Sequence, residues 1–309
     1  MSASSRIRSL VRALRGGAAL DRQAPRPVRS AVLEYGRRRF VKSYRAHAAQ
    51  EFARGEAIHR AAEASAGTFR APRPLQLLAE HDLVVWEALE GLVELREHLL
   101  ADAAARPSAR DAHAALFERA GRALAAVHAA LSALPAGADH RPFDAVRTGD
   151  AALDAHVAAC LSSAPLRPLH WDFVCGNLFV AGADLVMLDA SPNWYLHPPA
   201  DDTRVRSPVY VDGGTLVFSL HCHPRFSPGI AREAAAYLDA FAAGYAAAGS
   251  RLDPATLLVC GAEAARAFQA YADARPDAAR DAAAARRFRL DAADRLTAAA
   301  SALVAGGRA

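Results

Sequence analysis

Leu169-His170-Trp171-Asp172-Phe173-Val174-Cys175-Gly176-Asn177-Leu178-Phe179-Val180 runs into Ala181-Gly182-Ala183-Asp184 and then into Leu185-Val186-Met187-Leu188-Asp189. Two short apolar runs flank a glycine-containing turn, which is the pattern of a β-hairpin. Closing that hairpin brings Asn177 beside Asp189, while Asp172 stands on the loop that feeds the first strand. An Asp, an Asn and an Asp converging in this way form an oxygen-rich site, and hard divalent cations such as Mg2+ favour such ligands.

A second position asks for the same partner. The chain has 309 residues and 37 lysines and arginines, and Lys42 in Phe40-Val41-Lys42-Ser43-Tyr44 is its one lysine. Lysine is a compact point charge on a flexible stem, whereas arginine is a planar fork. A compact ammonium suits a phosphate or a tight carboxylate pair.

Working outward, Val28 to Leu33 and Arg39 to Tyr44 read as two strands joined at Tyr35-Gly36-Arg37. Helical pattern follows from about Ala46 to Ala66, ended by Gly67. Ala71-Pro72-Arg73-Pro74 is incompatible with helix. Leu75 to Ala79 and Leu83 to Leu89 form a further hairpin turning at Glu80-His81-Asp82. Residues 1–90 thus read as a small α+β unit holding Lys42. Residues 91–309 read as a larger, mainly helical unit: Ala114 to Leu134, Asp154 to Ser163, and alanine-rich helices over 229–304 with breaks near Gly249 and Pro276. A non-helical stretch from Pro165 to about Ser207 interrupts them. At the amino end Ile7, Leu10, Val11 and Leu14 recur at helical spacing opposite Arg8, Arg12 and Arg15, predicting an amphipathic helix.

These motifs together resemble the aminoglycoside phosphotransferase and choline kinase-like family, whose fold is protein kinase-like: His-x-Asp, four residues, Asn, a short hairpin, Asp. The resemblance spans most of the chain. It takes in the strand of Lys42, the helix with Arg54-Gly55-Glu56-Ala57, the hinge-like Val84-Val85-Trp86-Glu87, the helix with Ala125-Ala126-Val127-His128, and Tyr210-Val211-Asp212. It implies an α+β, bilobal fold: a small N-terminal lobe with an antiparallel sheet and one helix, and a larger helical C-terminal lobe. By the resemblance, Lys42 binds the phosphates of ATP (or GTP), held by Glu56 in preference to Glu51, with Glu87 at the nucleotide hinge. Asp172 orients the acceptor hydroxyl or takes its proton. Asn177 and Asp189 hold the Mg2+ ions, and His170 and Asp212 are scaffold, the histidine by bonding loop backbone.

Two features depart from the family pattern. Trp171 stands where relatives usually have glycine, so the indole either reshapes the catalytic loop or lines the acceptor site. No phosphate-covering glycine-rich loop can be placed, Gly16-Gly17 and Pro25-Arg26-Pro27 being poor candidates. The segment from Ser191 to Arg225 covers the acceptor by family position, with Trp194, Tyr195, Asp201 and Asp202 as candidate contacts beside Trp171. Aromatic faces among polar groups suit sugars and ring-bearing small molecules.

Composition bounds the alternatives. Hydrophobic residues are 52% and charged residues 23%, with net charge +4, ordinary for a globular chain. The basic residues are spread along the chain and mixed with acids, which argues against a nucleic-acid partner. No apolar run is long enough to span a bilayer. The four cysteines form no CxxC pair and follow no signal peptide, so free thiols in the cytoplasm are expected. The expected activity is transfer of the γ-phosphate to a hydroxyl of a small molecule, whether a sugar, an amino alcohol, a glycan precursor or an antibiotic. The alternative is a degenerate pseudokinase that binds nucleotide without turnover.

Overall fold

The computed structural model describes residues 31–35, 37–44, 47–105, 109–190, 195–196, 204–223, 228–248, 250–274 and 283–307. The expected amphipathic helix at Ile7 to Leu14 and both glycine-loop candidates lie outside them, as do Trp194, Asp201 and Asp202.

The chain opens with β1 (Ala31–Tyr35) and β2 (Arg37–Ser43), then α1 (Ala48–Ala64), β3 (Pro74–Leu78) and β4 (Leu83–Glu87). The four strands form an antiparallel sheet in the order β1-β2-β4-β3. Lys42 stands opposite Val84, and Phe40 opposite Trp86. Because side chains alternate along a strand, Lys42 and Tyr44 share the face of Val84. Tyr44, Ala48 and Val84 are buried together there, with Phe52 and Trp86 packed on them. That apolar patch seats α1 on the sheet.

In α1 a glycine stands mid-helix, which costs roughly 0.5–1 kcal/mol relative to alanine. Trp86 explains it. A Cβ added at Gly55 would lie 2.3 Å from the Trp86 indole, so the indole packs flat on the helix backbone only while that position has no side chain.

Next come β5 (Val93–Glu94), α2 (Leu95–Ala105), α3 (Arg110–Ser132), α4 (Ala151–Ser163), β6 (Leu166–Pro168), β7 (Leu178–Ala181), β8 (Asp184–Met187), β9 (Arg206–Pro208), α5 (Tyr210–His221), α6 (Pro228–Ala246), α7 (Pro254–Asp273) and α8 (Ala283–Gly306). One buried core runs through these helices and includes Phe117, Leu124, Trp171, Phe173, Leu216 and Phe241. Helices α3 and α6 cross at backbone contact. A Cβ on Gly121 would meet the Phe241 carbonyl at 2.1 Å, and one on Gly244 the Glu118 carbonyl at 1.9 Å. Among the described residues no helix is long and apolar enough to cross a membrane. All four cysteines are free thiols.

The hairpin β7–β8 pairs Leu178 with Met187 and Phe179 with Val186, as the two apolar runs predict. Its turn uses Gly182 at φ +62°, a region that glycine enters without steric cost. The strand leading out of α1 joins it: Arg70 N–H donates to the Leu185 carbonyl at 2.8 Å, and Met187 N–H to the Arg70 carbonyl at 2.9 Å.

Candidate active site

The register of β7–β8 sets the site. Leu188 N–H donates to the Asn177 carbonyl at 2.9 Å, which closes the open end of the hairpin and places residues 177 and 189 side by side. Asp189 follows with φ +52°, so its carboxylate turns out of the strand line. It forms an ion pair with Lys42. The lone lysine and the last aspartate of the motif, 147 positions apart, therefore meet. The Lys42 side chain is 12% exposed and that of Asp189 43%, so water and ligands reach the pair from the acid's side.

Asn177 donates through Nδ2 to the Asp172 carbonyl at 2.9 Å and to Asp172 Oδ2 at 2.8 Å. Spending the amide nitrogen on Asp172 leaves Oδ1 as the asparagine's remaining polar atom, an acceptor. Burial, then the negative charge of Asp189, pushes the Asp172 carboxyl up to about 6, against the opposing pull of Asn177 and Lys42. Oxygen donors from Asn177 and Asp189 beside a strained carboxylate fit a hard divalent cation.

Lys42, Asn177 and Asp189 border a cleft of about 430 Å3 between the sheet and the hairpin, and Asp172 lies behind Asn177 rather than in its wall. Its polar wall includes Lys42, Glu51, Asn177 and Asp189, and its apolar wall Ile58, Trp86, Leu89, Phe179 and Met187. An apolar slot with a few charged groups at one end suits a flat base carrying a charged tail. Glu87 lines the slot. Its backbone N–H donates to the Arg73 carbonyl at 2.9 Å, and its carboxylate accepts from Arg73 N–H at 3.2 Å.

The helix glutamate differs from the expected one. Glu51 lines the cleft and is buried, while half-buried Glu56 is absent from the lining. The cause is helix phase. Glu51, Gly55 and Ile58 recur at the spacing that keeps residues on one face, and Glu56 lies about 100° of rotation past Gly55. Glu51 pairs with Arg54 at 3.4 Å.

Arg54 was not singled out by the sequence. It is 2% exposed and donates to the Leu169 carbonyl at 2.8 Å and the Ala190 carbonyl at 3.2 Å. One guanidinium on α1 thus holds the chain just before His170 and just after Asp189. Arginine is seldom fully buried unless paired, and nothing in the sequence marks this one.

The loop before Asp172 hangs on Asp212, at the start of α5. Its carboxylate accepts from His170 N–H and Trp171 N–H at 2.8 Å each, and from His128 Nε2 at 2.8 Å. His128 Nδ1 lies 2.8 Å from the Tyr245 hydroxyl. Asp212 is fully buried and acts as scaffold.

Trp171 does not line the cleft. It adopts φ +74° and is fully buried in the core, its ring 6.2 Å from that of His140. A positive φ is the region glycine enters freely and a bulky residue enters at a cost of about 1–3 kcal/mol. The Asp212 bonds and the buried indole hold it there.

His170 also departs from expectation. Among the described residues neither ring nitrogen has a hydrogen-bond partner, loop backbone included. It lies against Phe173, 5.6 Å between centroids, and lines the cleft. Burial lowers its pKa to about 4, so it is neutral. Tyr195 packs edge-on against Phe218 and Phe268, and burial followed by the Asp172 charge raises its phenol well above the usual range.

No protein-family model matches the chain, and no curated protein matches it by sequence. Solved structures do match. A glucosamine kinase in complex with glucosamine, ADP and inorganic phosphate aligns with TM-score 0.55 at 18% identity, over 91% of this chain and 82% of that one. A choline/ethanolamine kinase family protein from Mesorhizobium loti aligns with TM-score 0.54 at 15% identity, over 94% and 99%. The choline kinase LicA from Streptococcus pneumoniae aligns with TM-score 0.51 at 11% identity, over 90% and 92%. The chain has the fold of these structures, a bilobal kinase-like fold of mixed α+β class. The neighbours are of the aminoglycoside phosphotransferase and choline kinase kind; at these identities the likeness speaks for fold.

Proposed function

We propose that the protein is a phosphotransferase that moves the γ-phosphate of ATP to a hydroxyl of a small molecule. The observation carrying this reading is the ion pair of Lys42 with Asp189 at the mouth of an apolar cleft, beside the bonded pair Asp172 and Asn177. Phosphoryl transfer demands little covalent chemistry of a protein and much positioning and charge neutralisation.

Each residue has a role in that reading. The segment 1–90 forms the nucleotide-binding lobe, with the base in the apolar slot along Glu87 to Leu89 and the phosphates at Lys42. Glu51, with its partner Arg54, takes the place by Lys42 that the family resemblance gives to a helix glutamate. Asn177 Oδ1 and the Asp189 carboxylate hold Mg2+, which when bound supplies charge neutralisation for the phosphates. The Asp189 carboxylate, now paired with Lys42, would be the charged ligand of that ion. Asp172 orients the acceptor hydroxyl and accepts its proton, a contribution on the order of 10²–10⁴-fold. With its pKa pushed to about 6, it is ionised at neutral pH yet more basic than an ordinary aspartate.

The segment 91–309 carries the acceptor, with Tyr195 near Asp172. The acceptor contacts expected from sequence at Trp194, Asp201 and Asp202 lie outside the described residues. The neighbours are kinases of an amino sugar and of amino alcohols, and an acceptor of that size class, a sugar or amino alcohol with a free hydroxyl, fits the reading. Binding without turnover is the weaker alternative. Two features favour it, a bulky residue in the catalytic loop and a glycine-rich loop that cannot be placed; the Trp171 indole is turned into the core while Asp172 and Asn177 stay bonded, and the glycine-loop candidates lie outside the described residues.

A panel of hydroxyl compounds assayed for ADP release with Mg2+ and ATP tests the proposal. Release that depends on one acceptor and is lost in Asp172→Asn is expected. Metal-dependent nucleotide binding with no acceptor-dependent release across sugars and amino alcohols would favour the binding module instead.

A further inference from the structure

A second cluster of ligand-type side chains lies apart from the cleft. In α2, His98 and Asp102 stand four positions apart and so project from one face. His113, near the start of α3, faces them. Asp102 Oδ2 lies 3.2 Å from His113 Nε2 and 3.7 Å from His98 Nε2, and one donor atom from each residue falls within 4.8 Å of the others. A tetrahedral zinc ion with bonds of about 2.0–2.1 Å holds its ligand atoms roughly 3.3 Å apart. Two of the three edges are therefore near their bound length, and the histidine–histidine edge closes by a rotation of the half-buried His98 ring.

The surroundings prepare the third ligand. The Tyr237 hydroxyl of α6 lies 3.1 Å from His113 Nδ1, and the two rings meet edge-on at 5.8 Å. An outer partner on one ring nitrogen fixes the tautomer and aims the other nitrogen at the ion, as metal-bound histidines require. His113 is 3% exposed, so its ring is held in place by packing and little water competes for it. Glu233, the nearby acid of α6, is paired with Arg110 at 2.8 Å, so the ligand set is two imidazoles and one carboxylate, with water in the fourth place.

We propose that His98, Asp102 and His113 form a zinc site that clamps α2 to α3 and, through Tyr237, to α6. It is separate from the all-oxygen Mg2+ set of the cleft, because imidazole nitrogen selects zinc-like ions and carboxylate and amide oxygens select magnesium. A rival cluster, His156, Cys160 and Asp253, is less suited. Its Asp253 Oδ1 already accepts from Thr256 N–H and Oγ1 at 2.7 Å each, and His156 turns the same Nε2 to both Asp253 and Cys160.

The test uses the full chain, stripped with chelator and dialysed against Zn2+ in excess Mg2+. One zinc per chain is expected, with a melting temperature raised by about 4 °C at free zinc one hundred times Kd. His98→Ala, at a half-exposed position that the fold tolerates, lowers zinc affinity at least tenfold, and Tyr237→Phe lowers it by about tenfold. Substituted Co2+ shows tetrahedral visible bands without thiolate charge transfer. The proposal is overturned by no stoichiometric binding, by unchanged affinity in His98→Ala, or by a thiolate band that disappears in Cys160→Ser.

Discussion

Asp172 and Asp212 hold opposite ends of one loop and live in opposite electrostatic conditions. Asp212 is fully buried and accepts three hydrogen bonds of 2.8 Å. Asp172 accepts from the Asn177 amide, but burial first and the charge of Asp189 second push its carboxyl up to about 6. A carboxylate with its lone pairs filled serves as a nail. One left short of donors and beside a like charge is a base in waiting. The contrast teaches that the nail makes the base possible, since the bonds from Asp212 hold Trp171 at φ +74° and thereby aim the next residue.

The largest effect that separates the two is on turnover. Asp172→Asn is expected to lower kcat by about 10²–10⁴-fold while the fold persists. Stability should move the other way. A carboxyl raised from 3.8 to about 6 on folding binds more protons folded than unfolded between those values. Its ionisation therefore costs stability, absent below the lower value and fully felt above the upper one. The amide removes that cost, and thermal melts at neutral pH should show a gain of up to about 3 kcal/mol. A melt unchanged or lowered at neutral pH would break the assignment of strain to Asp172. In wild type, kcat/KM should fall about tenfold per pH unit below about 6, as the base protonates; a pH profile flat through that range contradicts it.

Removing the nail is next in size. Asp212→Ala strands two buried N–H groups and His128, and should cost about 3 kcal/mol, read as a lowered denaturation midpoint with activity lost in step. Smaller again is Gly55→Ala. The new methyl meets the Trp86 indole and drives it toward the slot, so nucleotide KM should rise by roughly tenfold at little change in kcat. The smallest is Tyr245→Phe, which removes the hydroxyl at the far end of the Asp212 chain and should cost about 1 kcal/mol without altering kcat. A fall in kcat there would mean the anchor acts on chemistry as well as on structure.

Much of this was legible beforehand because it depends on period and spacing. The β7–β8 hairpin follows from two apolar runs around Gly182, and the meeting of Asn177 with Asp189 follows from closing it. Lys42 was marked by being the one lysine in an arginine-rich chain. Motif matching points to Glu56, whereas helix phase puts Glu51 with Gly55 and Ile58 on the cleft face. Trp171 could not be placed, because a single backbone torsion decides between cleft and core, and no side-chain pattern reports that torsion. Arg54 was invisible for a related reason: its partners are backbone carbonyls at residues 169 and 190, and carbonyls have no sequence.

The most direct measurement is calorimetric titration of ATP into the protein with and without Mg2+, repeated on Lys42→Met and Asp189→Asn. The account predicts binding that strengthens with Mg2+ in wild type, weakens by at least tenfold in Lys42→Met, and loses its dependence on Mg2+ in Asp189→Asn. Affinity that is indifferent to the metal and equal in all three proteins would contradict it.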